Sequence, residues 1–139
     1  MPAVSFPKAQ SLGEREWGSE TLVAFLPGHF AGKVLVMKAG AMGGLQYHRH
    51  KHEFGFVQSG YLLLTYEQGG ALHTRILGPG DTVEIPPEAV HQEKALTDCV
   101  IFEVSSPVFQ DRVRVEERFG LPQGTGLPTT QESEIRYEP

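Results

Sequence analysis

Three of the six histidines in this 139-residue chain fall within five positions, in His48-Arg49-His50-Lys51-His52-Glu53. Residues i and i+2 of a strand project from one face, so His48 and His50 point together, with Cα atoms about 7 Å apart. That separation lets two imidazoles converge on one ion. Glu53 lies an odd number of residues further on. It joins the same face only if the chain turns at Lys51-His52 and Glu53 opens the next strand. The segment Glu53-Phe-Gly-Phe-Val-Gln-Ser-Gly60 fits that reading, because it alternates again and stops at glycine. A fourth ligand comes from Gly80-Asp-Thr-Val-Glu-Ile-Pro-Pro-Glu-Ala-Val-His91, where Gly80 and the Pro86-Pro87 corner set up a strand beginning near His91. Three neutral imidazoles and one carboxylate suit Mn²⁺, Fe²⁺, Ni²⁺ or Zn²⁺. Ca²⁺ and Mg²⁺ prefer oxygen ligands. Two alternatives stand beside this set. His52 shares the parity of His48 and His50 and could replace Glu53, and the whole cluster could be a solvated loop with Arg49 and Lys51 interleaved. Because an imidazole must be neutral to bind metal, loading is expected to fall steeply below about pH 6.

Other side chains could surround such an ion. Gln46 has the parity of His48, so it either touches a substrate or hydrogen-bonds a ligand. Glu93 has the parity of His91 and is the nearest inward-facing general base. Lys33 opens a strand and is a second acid/base candidate, able to pair with a phosphate or carboxylate. The alternative for Glu93 and Lys33 is a solvated charge at a strand end. Glu84 alternates with Val83 and Ile85 and reads as outward, Cys99 as a small core residue, and His29 and His73 as surface. Trp17 and Phe6 read as packing on a partner subunit. There is no Gly-x-Ser-x-Gly and no Gly-rich phosphate loop, so serine-nucleophile and NTP chemistry have no foothold.

The elements that must position these groups are short. With 16 Gly and 10 Pro, tight turns should be many and long helices few. Apolar runs at Thr21–Leu26, Lys33–Lys38, Phe54–Val57, Tyr61–Tyr66, His73–Leu77, Thr82–Ile85 and Cys99–Val104 each end at Gly, Pro or Ser. Turn signals every 8–12 residues or so predict an all-β sandwich or barrel in a single domain. Residues 1–18 show no sustained period and read as an N-terminal arm. Residues 19–120 form the barrel, and 121–139, with little to bury, a mobile tail. Pro107–Phe119 reads as helix or strand, since Val113 and Val115 alternate with arginines. No βαβ alternation occurs, which excludes a Rossmann or P-loop fold.

A formal charge of −5, with 17 acidic against 12 basic residues and no basic block, argues against nucleic acid as a partner. No apolar run reaches the length of a membrane span. No signal-peptide stretch is visible, and a single cysteine excludes a disulfide framework, so the expected location is cytoplasmic.

The stretch Gly44-Leu-Gln-Tyr-His48-Arg-His50-Lys-His-Glu53 with Gly60 resembles the first motif of the cupin superfamily, and Gly80, Pro86 and His91 resemble its second. The resemblance implies a double-stranded β-helix, a small jelly-roll barrel holding a divalent transition metal through His48, His50, Glu53 and His91. It is closest to the cupin domain of type II mannose-6-phosphate isomerases and related stand-alone sugar-phosphate cupins. Leu45-Gln46, the His-x-His-x-x-Glu spacing, Glu16-Trp17-Gly18, Glu103-Val104 and Asp111-Arg-Val-Arg-Val-Glu-Glu-Arg-Phe-Gly120 carry that likeness. Glu88 and Ala95 depart from it, standing where Gly and Asn are usual. The likeness implies a small-molecule substrate and an aldose–ketose isomerase acting on a sugar or sugar phosphate. The alternatives are a non-haem Fe²⁺ dioxygenase and a sugar-binding cupin without turnover. An apolar arm ahead of a small barrel leads us to expect a homodimer.

Overall fold

The computed structural model describes residues 1–122, Ser133 and Ile135. Eleven strands are formed among them: β1 (Gln10–Arg15), β2 (Gly18–Leu26), β3 (Phe30–Met37), β4 (Gln46–His48), β5 (Glu53–Ser59), β6 (Leu62–Gln68), β7 (Ala71–Leu77), β8 (Thr82–Ile85), β9 (His91–Ala95), β10 (Cys99–Ser105) and β11 (Arg112–Arg114). They make two antiparallel sheets, one ordered β1-β2-β3-β10-β5-β8 and the other β11-β4-β9-β6-β7. The expected all-β jelly roll is therefore the observed fold. No described helix is long and apolar enough to cross a membrane.

The sheets close on a core of Leu35, Met37, Val57, Leu62, Leu64, Leu77, Ala95, Cys99 and Ile101. Alternation decides which side chains reach it. Along β10, Cys99, Ile101 and Glu103 face inward, and the register sets Ile101 between Leu35 and Val57, and Glu103 between Lys33 and Gly55. Moving along the central strands, the inner face thus changes from aliphatic to charged within two residues. The aliphatic half is the floor of the barrel and the charged half is a cup. Gly60 ends β5 with φ 82°, where a Cβ would stand 2.0 Å from the Asp98 carbonyl oxygen. Only glycine fits there.

One stretch departs from expectation, one left open is decided, and one turn is strained. Inside the segment read as an arm, Gln10–Arg15 is an edge strand paired with β2. Its own pattern is featureless because β2 supplies the hydrogen bonds and Leu12 alone packs inward, against Leu22, Ala31 and Phe109. Pro107–Phe119 resolves into strand β11, paired with β4, and a 3₁₀ turn at Glu116–Phe119 closed by Gly120 at φ 67°. Glu88 has φ 69° in the turn before β9. A side chain tolerates this left-handed conformation only at a cost of about 1–3 kcal/mol. The Glu88 N–H is held there by the His48 carbonyl, at 2.7 Å. The expectation of a mobile tail at 121–139 falls mostly outside the described residues, although Ile135 packs against the Leu22 cluster.

Candidate metal centre

His48 ends β4, Glu53 opens β5 and His91 opens β9, so three strand termini deliver three side chains to the cup. One potential ligand atom from each lies within 4.8 Å of the others. The His48 Nδ1 is 3.0 Å from Asp111 Oδ1. A carboxylate can only accept, so Nδ1 carries the proton and Nε2 keeps its lone pair for an ion. The His91 Nδ1 donates to the Ala89 carbonyl at 3.0 Å, which likewise turns Nε2 inward, 3.4 Å from Glu53 Oε1.

The electrostatics separate the two imidazoles. Burial holds His48 below the ordinary histidine value, outweighing the attraction of Glu53. Burial pulls His91 the same way, but the hydrogen bond and charge of Glu53 reverse it and leave His91 above that value. Burial alone would push the Glu53 carboxyl up. The His91 hydrogen bond and the Lys51 charge overcome this and keep it well below the usual carboxylate range. Two imidazole Nε2 atoms and an ionised carboxylate, fixed by partners on their far sides, fit a divalent transition metal.

His50 and His52 are not brought into this group. Strand β4 stops at His48 and the chain bends at Arg49-His50, so the two-residue period does not extend to His50. Asp111 makes that bend: its Oδ2 accepts the N–H of His50 at 2.7 Å and of Lys51 at 2.8 Å, and the His50 side chain is left exposed. His52 is exposed too, bonded to Glu84 at 2.7 Å and stacked on Phe54. Of the four residues expected to bind metal, His48, Glu53 and His91 are grouped and His50 lies apart.

Lys51, read from the sequence only as an interleaved solvated cation, is 7% exposed. Its ammonium lies 2.8 Å from Glu53 Oε2 and 2.6 Å from Glu103 Oε1. The bend shifts parity by one, which turns Lys51 inward and His50 outward. Glu103 was legible as inward, since it shares parity with Cys99 and Ile101. Burial, aided by the Glu53 charge, pushes its carboxyl up to about 7. Asp111 enters the sequence reading only as the start of a stretch that carries the family likeness, with no role assigned, because that role depends on β11 pairing with β4.

The remaining candidates line a cavity of about 100 Å³ beside the three ligands. Glu93 faces it without a side-chain hydrogen bond to any described residue, and burial and the Glu53 charge push its carboxyl up. Gln46 contributes a buried Oε1 without a partner among the described residues. Lys33 lines the cavity but sits in mid-strand and pairs with Glu20 at 2.7 Å, its Nζ 5.0 Å from the centre of the Phe109 ring. Trp17, expected on a partner subunit, instead lines the cup and packs on the main core, with its Nε1 buried and without a partner among the described residues. The β1–β2 reversal carries the indole there. A larger recess of about 330 Å³ shares only His91 with the metal group.

Asp111 orients His48 and makes the bend that admits Lys51. Asp111→Asn is therefore expected to lower divalent-metal affinity by about 10–100-fold, read by calorimetric titration with Ni²⁺. Unchanged affinity would show that the β4 strand holds His48 without help.

Residues 33–105 match the Cupin domain family. No curated protein sequence matches the chain. Among solved structures, the capsular polysaccharide assembling protein CapF from Staphylococcus aureus aligns with TM-score 0.69 at 21% identity, covering 80% of this chain and 32% of its own. KdgF from Halomonas sp. aligns with TM-score 0.59 at 26% identity, over 67% of this chain and 81% of its own. The oxalate decarboxylase of Lactobacillus farciminis aligns with TM-score 0.63 at 16% identity, over 81% and 35%. This chain spans about a third of CapF and of the decarboxylase, and its likeness to those two is one of fold.

Proposed function

This chain belongs to the cupin family, and from that premise we propose that it is a metal-dependent aldose–ketose isomerase acting on a small sugar or sugar phosphate, as a homodimer. The observation that carries the reading is Glu93, a carboxyl facing the cavity beside His48, Glu53 and His91 with no hydrogen-bond partner of its own among the described residues. His48, Glu53 and His91 would hold the ion, which supplies Lewis-acid polarisation of a carbonyl oxygen and the neighbouring hydroxyl. Glu93 takes the proton from the carbinol carbon and returns it to the former carbonyl carbon, while the proton of the neighbouring hydroxyl passes to the carbonyl oxygen, so both hydrogens are conserved and nothing is consumed. Burial strengthens it as a base by raising its affinity for that proton. Gln46 and Trp17 present an acceptor and a donor to the substrate's hydroxyl oxygens. A cavity of about 100 Å³ admits the reacting end of such a molecule.

The test is a metal-free preparation reloaded with Mn²⁺, Fe²⁺, Ni²⁺ or Zn²⁺ and incubated with an aldose panel in D₂O. NMR should detect ketose and deuterium at the exchanged carbon. Glu93→Gln should lose about 10²–10⁴-fold of the rate while still binding metal. An absence of ketose with every metal and sugar would overturn the isomerase reading, whether or not deuterium is exchanged. One observation favours a second reading: two histidines and one carboxylate, with His50 left out, is the ligand pattern of non-haem Fe²⁺ oxygenases. Under that reading turnover stops without oxygen, whereas an isomerase continues anaerobically.

A further inference from the structure

Each sheet has one outermost strand that borders the recess of about 330 Å³: β7 in one sheet and β8 in the other. Strand β6 and the turn ahead of β9 complete its wall. Directly opposed residues of an antiparallel pair point to one face, so the register sorts the lining. Leu62 opposes Leu77, Leu64 opposes Arg75 and Tyr66 opposes His91. On the other side Ile85 opposes Glu53, and Val83 opposes Gly55. Leu62, Leu64, Leu77, Ile85 and Glu53 are buried, which identifies this as the inner face.

The two carboxylates at the recess have the opposite parity. Glu84 alternates with Val83 and Ile85, and His52 engages it from outside at 2.7 Å. Glu67 alternates with Tyr66 in the same way. One inward position breaks the apolar pattern. Arg75 faces Leu64 across the ladder and precedes Leu77 by two residues, so a cation stands over an aliphatic wall. Its side chain is exposed, and no ion pair or hydrogen bond engages it among the described residues. An inward charge on an outermost strand hinders pairing with another molecule. That role requires no recess beneath the charge.

We propose that the recess is a second binding site, for a small amphipathic anion. Its carboxylate would meet the Arg75 guanidinium, whose planar fork matches that group. Its body, an aromatic ring or a short branched chain, would lie against Leu64, Leu77, Val83 and Ile85. The volume is at the lower end of the ~300–1,000 Å³ of small-molecule sites, which pair an apolar lining with a few orienting polar groups. A sugar fits poorly, because its hydroxyls would lose water without gaining partners on that wall. The inference goes beyond the proposed isomerase and stands without it, since the ligand class and the lining both differ from those of the cup.

Titration of the ¹⁵N-labelled full chain with phenylacetate, followed by NMR, tests it. Amide signals of residues 64–67, 75–77 and 82–85, which line the recess, should shift saturably with a Kd below about 1 mM. The neutral analogue phenylacetamide should shift the same signals with at least 10-fold weaker affinity. Arg75→Gln should lower phenylacetate to the level of phenylacetamide and leave phenylacetamide and the circular dichroism spectrum unchanged. The comparison of the two probes on the wild type decides the matter even if the variant proves unstable. Equal affinity for both probes would overturn the inference, as would no saturable shift on these strands or shifts confined to His48, Glu53 and Glu93 in the cup. So would a folded Arg75→Gln that binds phenylacetate as the wild type does, leaving Arg75 only its part in guarding the strand edge.

Discussion

Replacing Glu53 by Gln is expected to lower the affinity for Mn²⁺ or Ni²⁺ by at least 100-fold. Glu53 is the one carboxylate in the group, and His91 and Lys51 keep it ionised despite burial. Altering an outer partner of a ligand costs about 10–100-fold, and removing a directly binding anion exceeds that range. The pH dependence gives the same substitution a second signature. In the native protein His91 lies above the ordinary histidine value of about 6.5 and His48 below it, so His91 gains its proton first as pH falls. Metal must displace that proton from Nε2, so loading declines as pH drops, beginning above 6.5. With Gln at position 53 the main cause of the upward shift is gone, and the decline moves to lower pH. Calorimetric titrations at several pH values read both effects. An affinity within threefold of wild type would show that Glu53 does not bind the ion.

Lys51→Met is expected to destabilise the fold by about 3–5 kcal/mol near pH 8, the range found when one partner of a buried ion pair is removed. Two buried carboxylates, Glu53 and Glu103, lose the ammonium that each contacts. The loss should be smaller near pH 6, and the direction follows from Glu103. Its folded value of about 7 lies above the ~4.3 of an unfolded glutamate, so the folded state carries an extra proton between those values. Stability attributable to Glu103 therefore falls as pH rises through about 7, the reverse of an ordinary paired carboxylate. Removing Lys51 pushes Glu103 higher still and steepens that fall. Urea denaturation at pH 6 and pH 8 measures it. A loss under 1 kcal/mol at pH 8 would show that water reaches the two carboxylates.

Particular residues show how far the sequence carried. The alternation of Cys99–Val104 and the Gly-Pro punctuation were enough for strands and for an all-β jelly roll, because strand formation depends on local periodicity and turn chemistry. His48 and His91 were legible because each sits at the end or start of a regular strand. Glu53 was legible because the pattern restarts there. Lys51, His50 and Asp111 were not. Whether the chain bends after His48 depends on Asp111, about sixty residues away in sequence, accepting two backbone N–H groups. No window of the sequence contains both halves of that arrangement. Trp17 was misread for a related reason: its place in the cup depends on the β1–β2 reversal, and β1 has no periodicity of its own.

By itself, then, the amino-acid order determined the regularly alternating strands, the fold and the residue types offered to the candidate centre, since these follow from residue type and spacing over a few positions. The tertiary structure alone decided which candidate side chains come together. It put Lys51 inside and His50 outside, and it gave Glu103 a raised and Glu53 a lowered proton affinity. Those outcomes come from burial and charge between strands far apart in the chain, and a one-residue bend is enough to exchange the inner and outer faces.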